Sequence, residues 1–369
     1  MRDWYAGAVR PRPALADLRP YEPGKPAAEV RRELGLDRIV KLASNEGPYG
    51  PFPAALEAIA RQAPALNRYP ELGGDLVERL AVRHGVARER VAVGNGVDAI
   101  VGCLSMAYLD PGDEAVMAWP SFISYRLDTM KQAATPVLVP LRDGVHDLDA
   151  MAERIGPRTK IVYVCNPNNP TGTMVGHDQL QAFIDRVPDR VLVVVDEAYH
   201  EYVTDPDYPD AIAEHVLERP NVAGLRTFSK VYGLAGLRVG YMVGPADVVR
   251  ETMKVRNAFD VSELAHVAAL ASLDDPVELI RRRELNERGR TDLEAALVSA
   301  GMTPYPACAN FLAADVGDGR ALAHALEADG VIVRPLEPFG APGSIRVTVG
   351  TPDENAVFAA ALHRALQPR

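Results

Sequence analysis

Apolar residues recur along this chain in two alternating rhythms. Short apolar runs at Val91–Val93, Ala115–Ala118, Val137–Val139, Ile161–Val164, Val191–Val195, Val222–Leu225 and Val239–Val243 read as strands. Between them lie stretches with helical spacing. These are Ala54–Gln62, then Leu76, Val77, Leu80 and Ala81 closed by Gly85, then Val97, Ile100, Val101, Leu104 and Tyr108. A segment around Tyr125–Gln132 follows, and then Leu180, Phe183, Ile184 and Val187. The run Val191–Val195 is apolar throughout and rich in valine, which suits a strand buried on both faces of a parallel sheet. The alternation predicts an α/β domain with a mainly parallel sheet.

The flanks differ. Residues 1–50 are rich in proline and glycine and read as an extended arm with one short helix, Ala27–Leu34. Trp4, Tyr5, Tyr21 and Tyr49, with Phe52 just beyond, make it too aromatic for a disordered tail. Towards the C-terminus come helices near Ser262–Leu273 and Pro276–Ala300 and a strand at Asn310–Ala314. A helix at Arg320–Asp329, strands at Val331–Val333 and Ile345–Val349, and a helix at Pro352–Leu366 follow. They predict a smaller α+β domain over 276–369, after a large domain over 51–275.

Charge and cysteine content narrow the function. The 369 residues carry a net charge of −10, which argues against a nucleic-acid partner. The three cysteines are scattered, without a partner pattern for a disulfide or a metal, so no metal is expected. Neither a secretory leader nor a membrane-length apolar run is evident, so a cytoplasmic protein without a membrane partner is the expectation.

In an open parallel sheet, ligands bind beyond the carboxyl ends of the strands. The residues after each run therefore carry the functional reading. Gly94-Asn95-Gly96 leads into a helix whose first N–H groups suit a phosphate. Ala99 breaks the G-x-G-x-x-G pattern, and no G-x-x-x-x-G-K loop occurs. Trp119-Pro120-Ser121-Phe122 places aromatic rings that could fill core or stack on a flat ligand. The stretch from Cys165 to Gly172, CNPNNPTG, is a rigid polar loop.

Asp196 follows a buried strand and needs a cationic or N–H partner. A protonated pyridine nitrogen would serve, with Tyr199 one helical turn on; a helix N-cap is the ordinary alternative. Next comes RTFSKVYGLAGLRVGY, from Arg226 to Tyr241, with Lys230 and, eight residues later, Arg238. Lys230 is one of only six lysines, against 34 arginines. Arg346 lies inside a later strand, as an edge ion pair or a carboxylate clamp. Each feature alone has an ordinary structural reading. In this order, a phosphate cradle, an aromatic ring, an asparagine loop, a buried aspartate, a tyrosine and a lysine describe a site for pyridoxal 5′-phosphate. Lys230 is then an imine-forming lysine.

From about Arg19 to Thr351 the chain resembles the fold-type I aminotransferases, most closely the histidinol-phosphate aminotransferases and their aromatic aminotransferase relatives. The likeness rests on RPYEPGKP, KLASNEGPYGP, RYP, GNG, NPNNPTG, VVDEAY, TFSK with LAGLRVGY, and RVTVGT. It implies the α/β fold above and an arm, residues 1–50, that joins the small domain and a dimer interface. It also implies that Lys230 binds the cofactor covalently and moves a proton, and that Asp196 pairs with the pyridine nitrogen. Tyr199 and Asn169 would bond the phenolic oxygen, and Phe122 would stack on the ring. Gly96, Val97, Thr227, Ser229 and Arg238 would surround the phosphate, with Tyr69 reaching it from the other subunit of a homodimer. Arg346 would hold the amino donor's carboxylate. Asn45 belongs to the same substrate-binding set, and Tyr21 and Arg334 match positions used for a substrate phosphate.

The reaction implied is imidazole acetol phosphate plus L-glutamate giving L-histidinol phosphate plus 2-oxoglutarate, in histidine biosynthesis. The alternative is a phenylalanine or tyrosine aminotransferase of the same fold. A regulator without turnover would carry a basic DNA-binding segment, which this chain lacks, and a decarboxylase on this scaffold would release carbon dioxide. Val97, Ala99 and Gly47 depart from the family's usual serine, glutamate and asparagine. The backbone N–H of residue 97 survives, so cofactor binding is expected to survive too.

Overall fold

The structure is a computed structural model and describes residues 11–16, 18, 24–71 and 74–367. Tyr21, Trp4 and Tyr5 lie outside the described residues. The strands in chain order are β1 (Val40–Lys41), β2 (Val91–Gly94), β3 (Glu114–Trp119), β4 (Thr135–Pro140), β5 (Thr159–Cys165), β6 (Leu192–Asp196) and β7 (Val222–Thr227). They continue with β8 (Gly240–Val243), β9 (Thr303–Pro304), β10 (Phe311–Asp315), β11 (Val331–Ile332), β12 (Arg334–Pro335) and β13 (Ser344–Thr348).

A seven-stranded sheet has the order β2-β8-β7-β6-β5-β3-β4. β8 runs antiparallel to β2 and β7, and the other pairs are parallel. Alternation along each strand divides its side chains between two cores. Val162, Val164, Val193 and Val195 face one, shared with Leu76, Leu80, Ala265 and Ala268. Ile161, Tyr163, Leu192 and Val194 face the other, shared with Ile100, Leu104, Val248 and Val249. Helices thus cover both faces, which is why β6 reads as an unbroken apolar run ending in Asp196. Each fully buried valine or leucine there contributes about 1.5–3 kcal/mol.

A four-stranded antiparallel sheet, β12-β13-β10-β9, follows in sequence. Its core joins Ile345 and Val347 to Leu293 and Leu297 of helix Pro276–Ser299 and to Phe358 and Leu362 of helix Pro352–Ala365. β1 pairs in parallel with β11, and Val40 and Leu42 enter this same core. The segment before the seven-stranded sheet therefore packs on the part of the chain that follows it.

Two local expectations change. The strand expected at Val331–Val333 stops at Ile332, where β11 pairs with β1, and a separate strand β12, not expected, begins at Arg334 and pairs with β13. Tyr199 is also not one helical turn beyond Asp196. The Asp196 side chain accepts from the Ala198 N–H at 3.1 Å, and the chain turns into the short 3-10 helix His200–Tyr202. An aspartate that bonds a nearby N–H competes with helix formation, and this one forms a tight turn.

Candidate active site

A cleft of about 480 Å³ opens at the carboxyl ends of β3, β5, β6 and β7 and beside the helix after β2. Asn45, Val97, Phe122, Asn169, Asp196, Tyr199, Thr227, Ser229, Lys230, Arg238 and Arg346 all line it.

At one end, Gly96 opens the helix Gly96–Tyr108 with φ 79°. A Cβ on Gly96 would lie 2.6 Å from Arg238 Nη2, so the guanidinium rests against a bare helix N-terminus. Arg238 itself adopts φ 55° after the turn Ala235–Leu237, a left-handed conformation that costs a non-glycine residue of order 1–3 kcal/mol. The Ser229 N–H donates to Thr227 Oγ1 at 3.1 Å, which packs both hydroxyl residues into the same corner. A guanidinium, hydroxyls and a helix N-terminus together suit a phosphate.

In the middle, Asp196 is buried. The Tyr125 hydroxyl donates to its Oδ2 at 2.6 Å, and the Ala198 N–H to its Oδ1. Burial pushes the carboxyl up to about 6, while those two donors and the Lys230 charge pull the other way. Phe122 precedes helix Ile123–Lys131 and meets the Tyr125 ring edge-on at 5.4 Å. Asn45 Nδ2 donates to the Tyr199 hydroxyl at 3.0 Å. Lys230 Nζ stands 5.6 Å from the centre of the Tyr199 ring. Its pKa is pushed down to about 8, first by loss of hydration and then by the charges of Arg346 and Arg238. A lysine so placed sheds its proton readily and can attack a carbonyl.

At the far end, Arg346 Nη1 donates to Asn169 Oδ1 at 2.5 Å and Nη2 to the Ala43 carbonyl at 2.8 Å. Arg334 on β12 is its register partner. Directly opposed residues of an antiparallel pair share a face, so the two guanidinium-bearing side chains leave the sheet on the same side. Arg334 is buried and does not line the cleft itself. Its guanidinium lies 5.5 Å from the Phe339 ring, and Phe339 does line it. Tyr69 stands apart, 80% exposed and stacked on Phe259 at 4.6 Å.

Sequence reasoning missed Tyr125, which it placed only as the start of a helix. It also passed over Glu197. Arg226 Nε donates to buried Glu197 Oε2 at 3.0 Å, and Arg226 Nη2 to Asp210 Oδ1 at 2.6 Å, which ties β6 to β7 beneath the cleft. The adjacency of two acids in DEAY was the available signal, since consecutive side chains leaving a strand point to opposite sides and a second buried carboxylate needs a cation of its own.

Comparison with known proteins agrees with this geometry. The family model for aminotransferase class I and II matches residues 37–362. The chain belongs to that family. Among relatives of this aminotransferase, a histidinol-phosphate aminotransferase of Moorella thermoacetica is 45% identical over 359 residues, 96% of this chain and 92% of the relative. An aromatic amino acid aminotransferase of Thermobifida fusca is 46% identical over 350 residues, 94% of each. The crystal structure of histidinol-phosphate aminotransferase from Sinorhizobium meliloti, in complex with pyridoxal-5′-phosphate, superposes with a TM-score of 0.89 at 28% identity. It covers 98% of both chains.

The residues of this aminotransferase fit pyridoxal 5′-phosphate. The cleft offers an anion corner at Arg238 and Gly96, an aromatic wall at Phe122, a buried carboxylate at Asp196 and an amine of lowered basicity at Lys230. Among the described residues, no group of side chains is arranged to hold a metal, and no helix is long and apolar enough to cross a membrane.

Proposed function

We propose that this aminotransferase uses pyridoxal 5′-phosphate to convert imidazole acetol phosphate and L-glutamate into L-histidinol phosphate and 2-oxoglutarate, a step of histidine biosynthesis. The observation that carries the transaminase reading is Lys230 with its lowered pKa, in one cleft with Asp196, Asn169 and Tyr199. The substrate reading rests on Arg334 and Arg346 sharing a face and on the relatives named for histidinol phosphate.

The cofactor, when bound, supplies an electrophilic carbon and a ring that accepts electrons. The protein's own groups do the rest. Arg346 binds the amino donor's carboxylate through a two-pronged guanidinium. Lys230, neutral, takes the proton from the substrate Cα and returns it at the product carbon. Asp196 holds a proton at the pyridine nitrogen by offering it a buried negative charge. Tyr199, oriented by Asn45, and Asn169 bond the phenolic oxygen, and Phe122 covers the ring face. Val97, Gly96, Thr227, Ser229 and Arg238 bind the phosphate. Arg334 and Tyr21 take the substrate phosphate. The exposed Tyr69 completes the phosphate site of a second copy, which makes the working enzyme a homodimer. The domains are 51–275 and 276–369, with the arm 1–50, and the protein works in the cytoplasm.

One observation favours a second reading, an aromatic amino-acid aminotransferase. Ile123, Leu127 and Phe339 give the cleft an apolar wall, and the Thermobifida fusca relative carries that name. A substrate panel separates the two. Histidinol phosphate is expected to exceed phenylalanine and tyrosine in kcat/KM, and the reverse ranking would replace the first reading with the second.

A further inference from the structure

We infer that Tyr125 is a positioning residue for transamination: its hydroxyl keeps the Asp196 carboxylate ionised and aimed at the pyridine nitrogen. The inference rests on the transaminase reading above. Its basis is geometric. Tyr125 is fully buried, and its hydroxyl donates to Asp196 Oδ2 at 2.6 Å. Its ring lies flat on Tyr163, 4.5 Å between centres and 4° between planes. Tyr163 is held in turn by Ser105, hydroxyl to hydroxyl at 3.3 Å. Phe122 meets the same ring edge to face, 5.4 Å between centres. A phenol so clamped cannot swing away from its acceptor, so the oxygen it bonds is fixed as well.

One short segment therefore carries both the residue that covers the cofactor ring and the residue that steadies its counter-ion. The groups facing Asp196 from neighbouring elements are Tyr125, Asp98, Cys165, Lys230 and Tyr199, with the Ala198 N–H from its own turn. Of these, Asp98, Cys165 and Tyr199 offer no positive charge at neutral pH. Burial favours the protonated acid, and the donated bonds, with the Lys230 charge, oppose it. Losing a donor to a buried carboxylate makes the acid hold its proton more tightly. A more basic Asp196 then competes with the pyridine nitrogen for the proton on which electron withdrawal depends.

The test uses Tyr125→Phe, which keeps the ring and its stacking, with Tyr163→Phe as the control. The control loses a buried hydroxyl from the same stack without touching Asp196. In cofactor-free protein carrying 13C-labelled aspartate, the Asp196 carboxyl is assigned with Asp196→Asn and titrated by NMR. Tyr125→Phe is expected to raise its proton affinity roughly ten- to hundredfold, the range for a hydrogen bond to a charged group, while Tyr163→Phe leaves it unchanged. In holoenzyme with 15N-labelled pyridoxal phosphate, the ring nitrogen signal of Tyr125→Phe moves towards the neutral pyridine. With it, kcat falls about tenfold or more while the KM for the amino donor stays within about twofold.

An Asp196 titration identical in Tyr125→Phe and wild type overturns the inference, as does an equal rise in Tyr163→Phe, which would mark general loosening of the stack. A wild type that takes up no pyridoxal phosphate overturns the proposed function and the inference together. That outcome is distinct from a cofactor-loaded variant with an unshifted Asp196.

Discussion

Replacing Lys230 by methionine removes an amine from a site that resists its charge, and the cofactor-free protein is expected to become more stable. The pKa of Lys230 falls from 10.5 to about 8 in the folded protein. At about 1.4 kcal/mol per tenfold change in proton affinity, that drop corresponds to about 3 kcal/mol. The sign follows from where the proton sits. Below pH 8 the lysine is charged in both folded and unfolded chains, and the folded chain bears the whole cost. Between about pH 8 and 10.5 the folded chain has released its proton and the unfolded chain has not, so wild-type stability rises with pH. Above that window both are neutral and the cost is gone. Urea denaturation of cofactor-free wild type and Lys230→Met at a series of pH values reads the difference directly. The variant should lead by about 3 kcal/mol at pH 7, and the lead should vanish towards pH 10.5. A lead that is absent at pH 7, or that does not change with pH, would refute the reasoning. The same variant should retain no cofactor after borohydride treatment, since the amine that would be fixed is missing.

Gly96→Ala places a Cβ 2.6 Å from Arg238 Nη2 at a backbone φ of 79°. Stability should fall by about 1–3 kcal/mol and pyridoxal phosphate affinity by roughly tenfold or more, read by thermal melting and by fluorescence titration of the cofactor-free protein. Arg334→Ala should weaken phosphorylated substrates by roughly 2–5 kcal/mol in kcat/KM and phenylalanine far less. Equal losses would make Arg334 a purely structural residue. At Asn45, where φ is 54°, both Asn45→Ala and Asn45→Gly delete the bond to Tyr199, but only alanine resists the backbone. Asn45→Gly should therefore be the more stable of the two by about 1 kcal/mol, and a reversed order in thermal melts would count against a strained turn.

Much of this architecture was visible in the residue pattern, for a physical reason. β5, β6 and β7 are buried on both faces, so they appear as apolar runs, and the residues that follow them fall at one edge of the sheet. Phe122, Asn169, Asp196 and Lys230 could be placed by that rule alone, and all four line the cleft. The two-residue strands β1 and β12 are too short to show a period, and their pairing depends on residues far away in sequence. Tyr125 escaped notice because its value lies in what the far side of its helix meets. A tyrosine among apolar residues reads as core, and only the fold reveals the carboxylate at its hydroxyl. The turn after Asp196 was misread for a similar reason: the aspartate bonds the main chain as well as its tyrosine, and the helix does not start there.

The loop from Ala43 to Glu46 has a consequence for tolerance. Its Ala43 carbonyl receives Arg346, and its Asn45 bonds Tyr199 on one side and Thr348 on the other. Arg346, proposed to grip the substrate, and Tyr199, proposed to bond the cofactor ring, are thus referenced to the same few backbone atoms. When that loop drifts, both drift with it, and the spacing between them is preserved. Errors in placement become shared errors, which a reaction sensitive to relative position can absorb far better than independent ones.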